Sequence, residues 1–500
     1  MEACPAGAMS RDAISGLVWV DRDRCVGCWM CVLACPFGAV VPSEDGKHAS
    51  KCDGCRGREV PACAGSCRPR DDLFLPHLRL ESAQQRRERF ASAGWGWPAP
   101  LSYPAPQANP RSIPAVNWDG NSPRYVVVGA GIAAVRAVET LRIAAPHAQV
   151  VMVSDESTAP YSRVLLSHHI AGIKNEKSMA LRPDGWLADM DVEMVAGDGA
   201  RALDVDRHRV VLNSARELPF DRLLIATGAN SIRLRVPGAD LEGVVGLRNL
   251  PDATSIKRMA PEQAVVVGGG FIGIKAAEAL RHLGAEVTIV EKLGQLLPQM
   301  LDSQAAAMVR VQLETHGVHV LTGVGVQAIE GHGRASSVLL ESGERLRSDL
   351  VIVGVGVVPN VRWLKGSAVQ IGRGVIVDDQ MRTSAPDVWA AGDVAESFDL
   401  LTGARTVSGI WPVAAAQGRI AGANMAGGSE RFAGSVPMNT LDVFGVAVAS
   451  FGQVRGEVER IDQESDSRYQ KRIYRGSALV GAVLVGDLRE AGRLLAEARR

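Results

Sequence analysis

The stretch RYVVVGAGIAAVRAVETL, Arg124 to Leu141, decides the fold. A run of apolar strand formers enters a glycine turn and leaves it in an alanine-rich segment, which reads as strand, tight loop and helix. Gly129, Gly131 and Ala134 hold the three small-residue positions of the dinucleotide loop. The first glycine makes the turn, the second lets backbone approach a pyrophosphate, and the small third residue lets helix meet sheet. The phosphate then rests on the helix N-terminus. An acidic partner is expected about 20 residues on; Asp155 or Glu156 in VVMVSDES meets that need. The same device returns in AVVVGGGFIGIKAAEALRHLGAEVTIVEK, with Gly268, Gly270 and Gly273, and with Glu291 ending the next strand. That carboxylate would accept from a ribose 2′-OH and repel a 2′-phosphate, so NAD is favoured over NADP, although Lys292 beside it softens the distinction. The competing reading, a glycine turn that only packs helix on strand, has to hold twice, each time with an acid in place.

Working outward, strands of Val, Ile and Leu alternate with Ala-rich helical stretches from Arg124 onward, the pattern of parallel α/β units. Near Gly434 the pattern loosens, and YQKRIYRGSALVGAVLVGDLREAGRLLAEARR reads as a hairpin plus a closing helix. Before Arg124 lie a proline-laden tether and a polar helix around QQRRERF, read as a solvated face. The chain has 500 residues, enough for roughly two to four domains. Lys plus Arg and Asp plus Glu balance at 55 each, so no overall field favours nucleic acid or an acidic membrane. The first residues lack a secretory pattern and no apolar run reaches spanning length. The expected address is the cytoplasm, where clustered cysteines serve metals or redox chemistry more often than disulfides.

All nine cysteines stand at or before Cys67. Cys25, Cys28, Cys31 and Cys35, followed by Pro36, have the C-x2-C-x2-C-x3-C-P spacing of the bacterial ferredoxin run. A tight loop supplies three thiolates to one cubane, and a distant segment supplies the fourth. A second set comprises Cys52, Cys55, Cys63 and Cys67. Zinc is the alternative, but three cysteines spaced by two residues crowd a tetrahedral site. The expectation is one or two [4Fe-4S] clusters.

Nicotinamide delivers electrons in pairs as a hydride, whereas an iron–sulfur cluster passes one at a time. A flavin does both, so one nucleotide loop is expected to take FAD and the other NAD.

Two resemblances refine these expectations. ACPAGAM, DRDRCVGCWMCVLACPFGAV and KCDGCRGREVPAC resemble the back half of the four-cluster iron–sulfur subunits that serve molybdopterin oxidoreductases, hydrogenases and carbon monoxide dehydrogenases. This resemblance implies that Cys4 completes Cys25, Cys28 and Cys31. The front half that would partner Cys35, Cys52, Cys55, Cys63 and Cys67 is absent, and Arg68 follows Cys67 where the pattern has proline. The other wiring exchanges the runs as a small ferredoxin does, with Cys67 closing the first set and Cys35 the second. A start placed too late in the gene is a third explanation.

From Arg124 to about Gly428, VVVGAGIAA, PYSRVLLS, LLIATGA, VVVGGGFIG, VGVGVVPN, VWAAGDVAE and WPVAAAQGRIAGANMAG resemble the pyridine nucleotide oxidoreductase family in its ferredoxin-reductase and nitrite-reductase branch. The resemblance implies FAD on the first loop and NAD on the second. It places Thr227 and Gly228 near the FAD, Gly392 and Asp393 on its ribityl and pyrophosphate part, Trp411 and Pro412 by the flavin ring, and Arg163 beside its reactive face. Where relatives often carry lysine after LS, this chain has His168; His168 and His169 read as surface or capping histidines. Disulfide reductases of this fold place cysteines beside the flavin, and Arg124 to Arg500 has none, which excludes thiol chemistry there.

The expected architecture is therefore α/β, with two Rossmann-like domains between an iron–sulfur domain and a small α+β domain. The expected boundaries are 1–75 for the iron–sulfur domain, 76–123 for the helix and linker, 124–247 and 370–432 for the two segments of the FAD domain, 248–369 for the NAD domain inserted between them, and 433–500 for the C-terminal domain, with a homodimer suggested by resemblance. The expected activity is electron transfer between NAD(P)H and an iron–sulfur or metalloenzyme partner, with no nucleic acid and no membrane. The alternatives are flavin reduction of oxygen or another small acceptor, and a redox sensor.

Overall fold

The computed structural model describes residues 3–11, 18–35, 39–43, 47–51 and 122–499. Cys52, Cys55, Cys63, Cys67, the polar helix and the proline-laden tether lie outside the described residues.

Near the N-terminus, Met9–Arg11 and Val18–Val20 form a short antiparallel hairpin. Cys25 to Cys31 then coil into a helix, α1 (Met30–Ala34), which buries Val32 and Leu33.

The first Rossmann sheet is fully parallel, in the order 388–390, 222–225, 124–128, 149–153, 192–195. Its central strand Arg124–Val128 is buried from Tyr125 onward, which explains the uninterrupted apolar reading. Helix α2 (Ile132–Ala144) follows the glycine loop, and the short α3 (Leu166–Ile170) lies beyond the next strand.

The second sheet is also parallel, in the order 244–246, 350–353, 263–267, 286–291, 318–322. Its helix α4 (Phe271–His282) follows the second glycine loop. The edge strand Val244–Gly246 pairs in this sheet, ahead of the expected domain start at 248. A ribbon of Ala229–Ser231 paired with Val357–Pro359 carries the chain out of the first sheet and back toward it.

Helix α5 (Trp411–Met425) closes the first domain by running parallel to α2. Cβ atoms on Gly418 and Gly422 would stand 2.1 and 2.5 Å from the carbonyl oxygens of Ala133 and Ala137, so only glycine permits this backbone approach. The close packing brings the N-termini of both helices to one end.

The C-terminal sheet is antiparallel, in the order 438–443, 446–452, 478–485, 468–475, 458–465, and α6 (Ala491–Ala498) packs on it. The expected hairpin and closing helix are both present. None of the described helices is long and apolar enough to cross a membrane.

Candidate functional site

A cavity of about 410 Å³ opens where α2 and α5 begin. Gly129 has φ +126°, and a Cβ there would lie 2.1 Å from the Ala226 oxygen. Gly131 caps α2 with no neighbour within 4 Å of a built Cβ and no side-chain cap, leaving its N-terminal amides open to a pyrophosphate. Ala134 is fully buried under the loop, as the helix-to-sheet role requires. The N-terminus of α5 also lacks a side-chain cap, and Trp411 lines the cavity. Pro412 follows it in the first turn of α5, where proline's missing N–H leaves no bond unmade. The buried indole N–H of Trp363, another wall residue, has no partner among the described residues. This donor set and the small-residue cradle fit FAD.

The structure separates the two candidate acids at the end of the second strand. Glu156 is engaged: Oε2 accepts from the Tyr161 hydroxyl at 2.6 Å and Oε1 pairs with Arg163 at 2.5 Å. Asp155 also lines the cavity, and its carboxylate has no hydrogen-bond partner among the described residues, so it is the acid free for a ribose. Arg163 additionally donates to the Arg248 carbonyl at 3.0 Å, so its guanidinium is held at the wall as half of an ion pair. Burial pushes the Tyr161 hydroxyl well above its usual range, keeping it a neutral donor.

Thr227 donates to the Asn360 carbonyl at 2.9 Å, and Gly228 takes φ +66°. Gly392 takes φ +81°, and its amide is held by Gln417 Oε1 at 2.9 Å. Asp393 pairs with Arg248 at 2.9 Å, with side chains 23% and 24% exposed. Sequence reasoning missed Arg248, Gln417, Asn360 and Lys275. Gln417 and Asn360 stand inside stretches that carried the resemblance; Arg248 and Lys275 had no such signal.

In the second loop Gly268 has φ +110°, Gly270 caps α4 with no side chain in the way, and a Cβ on Gly273 would lie 1.9 Å from the Gly268 oxygen. Glu291 accepts from the amides of Gly269 at 2.6 Å and Leu293 at 2.8 Å, which fixes its carboxylate beside the loop. Lys292 pairs instead with Glu341 at 3.0 Å. These residues fit NAD. The first residues of α4, Phe271 and Ile272, line the wall of the first cavity, so the two nucleotide loops serve adjoining sites.

Among the described cysteines, the thiols of Cys28 and Cys31 lie within electrostatic reach of each other and of Cys4 and Cys25. No group of the described side chains converges tightly enough for a single metal ion. The amide of Ala8 donates to Cys4 Sγ at 3.2 Å and that of Ala49 to Cys25 Sγ at 3.4 Å, the bonds an anionic cluster needs. Burial first, and then the neighbouring thiols, pushes Cys28 up to about 12 and Cys31 higher still. Without a metal, burial keeps Cys28 and Cys31 as neutral thiols; a cationic iron centre would offset that cost and take them as thiolates.

His169 is buried, with Nδ1 3.1 Å from the Lys174 carbonyl just past the end of α3, and His168 is half-buried.

Comparison with known proteins agrees with this geometry. The pyridine nucleotide-disulphide oxidoreductase model matches residues 123–418, the rubredoxin NAD+ reductase C-terminal domain 437–497, and the 4Fe-4S dicluster domain 1–73. The NADH-dependent phenylglyoxylate dehydrogenase subunit epsilon of Aromatoleum evansii is 34% identical over 74% of this chain and 90% of its own length. The assimilatory nitrate reductase electron transfer subunit of Bacillus subtilis is 30% identical over 74% of this chain, which spans about half (48%) of that relative. The NAD-dependent persulfide reductase of A. fulgidus superposes with a TM-score of 0.71 at 28% identity, covering 75% of this chain and 76% of that one. With both dinucleotide loops built and the matched region covering more than half its length, the chain belongs to the pyridine nucleotide-disulphide oxidoreductase family.

Proposed function

We propose that the protein transfers electrons between NADH and an iron–sulfur or metalloenzyme partner, using FAD and at least one [4Fe-4S] cluster. The observation that carries this reading is the shared wall: the helix of the second nucleotide loop closes the cavity of the first, in a chain whose N-terminal loop also carries four half-buried cysteines. Bound FAD supplies the exchange between a hydride pair and single electrons.

The chain's own residues bind and orient. Gly129, Gly131 and the open N-terminus of α2 hold the pyrophosphate, with Ala134 letting that helix close on the sheet. Asp155 takes the ribose, with Glu156 fixing Arg163 by the ring. Thr227, Gly228, Gly392 and Asp393 line the ribityl side. Trp411 stands beside the ring, with Pro412 behind it in the same turn. Gly268, Gly270 and Gly273 receive the NAD pyrophosphate, and Glu291 the adenosine ribose, favouring NADH. Cys4, Cys25, Cys28 and Cys31 hold one cluster; Cys35, Cys52, Cys55, Cys63 and Cys67 form a second set that is incomplete in this chain. No proton donor is invoked, since the protein's share is positioning and tuning of potential. The names of the relatives, an electron transfer subunit and an NADH-dependent dehydrogenase subunit, support this role. The domain division expected from sequence is retained, with the NAD domain taking in the strand at Val244.

NADH consumption by anaerobically prepared protein tests the reading. Fast turnover with a one-electron acceptor and slow turnover with oxygen alone is expected. Fast turnover with oxygen favours the oxidase alternative, and slow turnover with every acceptor favours the sensor.

A further inference from the structure

The cysteine run ends on the C-terminal domain. Helix α1 packs against α6 and against the strand Met438–Val443, which lies at the edge of the C-terminal sheet. A Cβ on Gly492 of α6 would lie 2.0 Å from the Cys35 carbonyl oxygen and 2.7 Å from that of Val32. Thr440, in the edge strand, donates to the Cys28 carbonyl at 2.7 Å. Cys28 and Cys35 thus both meet this domain through their backbone.

The same strand is fastened to the wall of the FAD cavity. Lys275 on α4 lines that cavity, pairs with Glu278 and donates to the Asp442 carbonyl at 3.3 Å. Glu278 Oε1 accepts from the Phe444 amide at 3.3 Å, and Gln312 of the helix Ser303–Thr315 donates to the Phe444 carbonyl at 2.9 Å. Thr440 and Asp442 are next-nearest neighbours in an extended strand, so the cysteine tie and the cavity tie stand about 7 Å apart along it. From the first Rossmann domain, Lys174 donates to the Asp23 carbonyl at 2.6 Å, just ahead of the run.

We infer that the C-terminal domain is the mount of the iron–sulfur site: it fixes the loop of Cys25, Cys28 and Cys31 at one distance from the FAD cavity, with Gly492 and Thr440 as positioning residues. The inference rests on the electron-transfer reading above. Oxidation of one NADH to NAD+ and a proton releases two electrons, which leave singly by way of this site to two equivalents of a one-electron carrier on the partner protein. A mounted site keeps a single spacing to the flavin, whereas a tethered one samples many.

The residue types follow from the contacts. Alanine is the better helix former, so a glycine inside α6 answers to something other than the helix. The nearest atoms to a Cβ there all belong to Val32 and Cys35, so the substitution strikes the cysteine segment and leaves the helix intact. Thr440 is 2% exposed, so its hydroxyl has the Cys28 carbonyl in place of water.

The test uses the full-length holoprotein under anaerobic conditions, with Gly492→Ala, Thr440→Val and Thr440→Ser compared with wild type. Hydrogen exchange of the peptide spanning Cys25 to Cys35 reports docking. Rapid-freeze paramagnetic resonance of cluster reduction by NADH, set against visible bleaching of the flavin, reports the spacing. In Gly492→Ala and in Thr440→Val the peptide exchanges about tenfold faster, and cluster reduction lags flavin bleaching about tenfold more than in wild type. Thr440→Ser keeps the hydroxyl and restores both. Unchanged exchange and an unchanged lag in Gly492→Ala and Thr440→Val overturn the proposal. Should Gly492→Ala unfold the C-terminal sheet, Thr440→Val against Thr440→Ser decides alone. Should a variant lose iron, exchange is compared between iron-free wild type and iron-free variant, with the same acceleration expected. Absence of flavin bleaching in wild type instead defeats the functional reading, while exchange of the cysteine peptide still decides the mount.

Discussion

Thr440, in the first strand of the C-terminal sheet, donates its hydroxyl to the carbonyl of Cys28 at 2.7 Å, joining residues 412 positions apart. Cys28 is thus held from the C-terminal domain as well as by its own loop. Its carbonyl belongs to the short turn that aims the thiols, so the bond orders the ligands before iron arrives.

Replacing Thr440 with Val keeps the shape and removes the donor. An unsatisfied buried carbonyl costs about 1–3 kcal/mol. Iron loss to a chelator is expected to accelerate by about tenfold, with flavin content unchanged; equal rates would show that the turn needs no such anchor.

Asp393 and Arg248 act as a pair at the cavity wall. Asp393→Ala leaves Arg248 uncompensated and removes the acceptor from the ribityl side. FAD affinity, measured by rebinding to stripped protein, is expected to fall about 10- to 100-fold, and less for Asp393→Asn.

We propose that the nucleotide preference rests on Glu291, whose carboxylate is fixed by the Gly269 and Leu293 amides. Glu291→Ala is expected to lower kcat/KM for NADH about tenfold and to narrow the gap to NADPH. The tie of Lys292 to Glu341 predicts that Lys292→Ala changes the preference little, which the same ratio checks.

A buried network joins the NAD domain to the C-terminal sheet. Asp302 caps the helix Ser303–Thr315 and accepts from Tyr469 at 2.8 Å and Lys471 at 3.0 Å. Although burial opposes it, these donors together hold the Asp302 carboxyl below its ordinary value. Its folded pKa is depressed, so the stabilisation is fully present above the unfolded value of about 3.9 and is lost as pH falls through the folded one. Asp302→Ala is expected to cost about 3 kcal/mol at neutral pH, seen as a lower Tm; the difference from wild type shrinks in acid.

How much of this was legible in sequence depends on the range of the interaction. Gly129, Gly268 and Gly273 were readable because a positive φ or a backbone approach is imposed by the loop itself. Gly418 and Gly422 were not, since what they admit is another helix. Arg248 and Lys275 reach the cavity only after the second domain folds over the first. The choice between Asp155 and Glu156 needed Tyr161 and Arg163, which claim one acid and leave the other.

The most direct test is an anaerobic titration with NADH followed by low-temperature paramagnetic resonance, with dithionite as the reference for full reduction. The account predicts that NADH bleaches a bound flavin and then brings up the signal of a reduced [4Fe-4S] cluster. Protein that carries zinc and no acid-labile sulfide, or whose cluster signal never responds to NADH after the flavin is bleached, contradicts it.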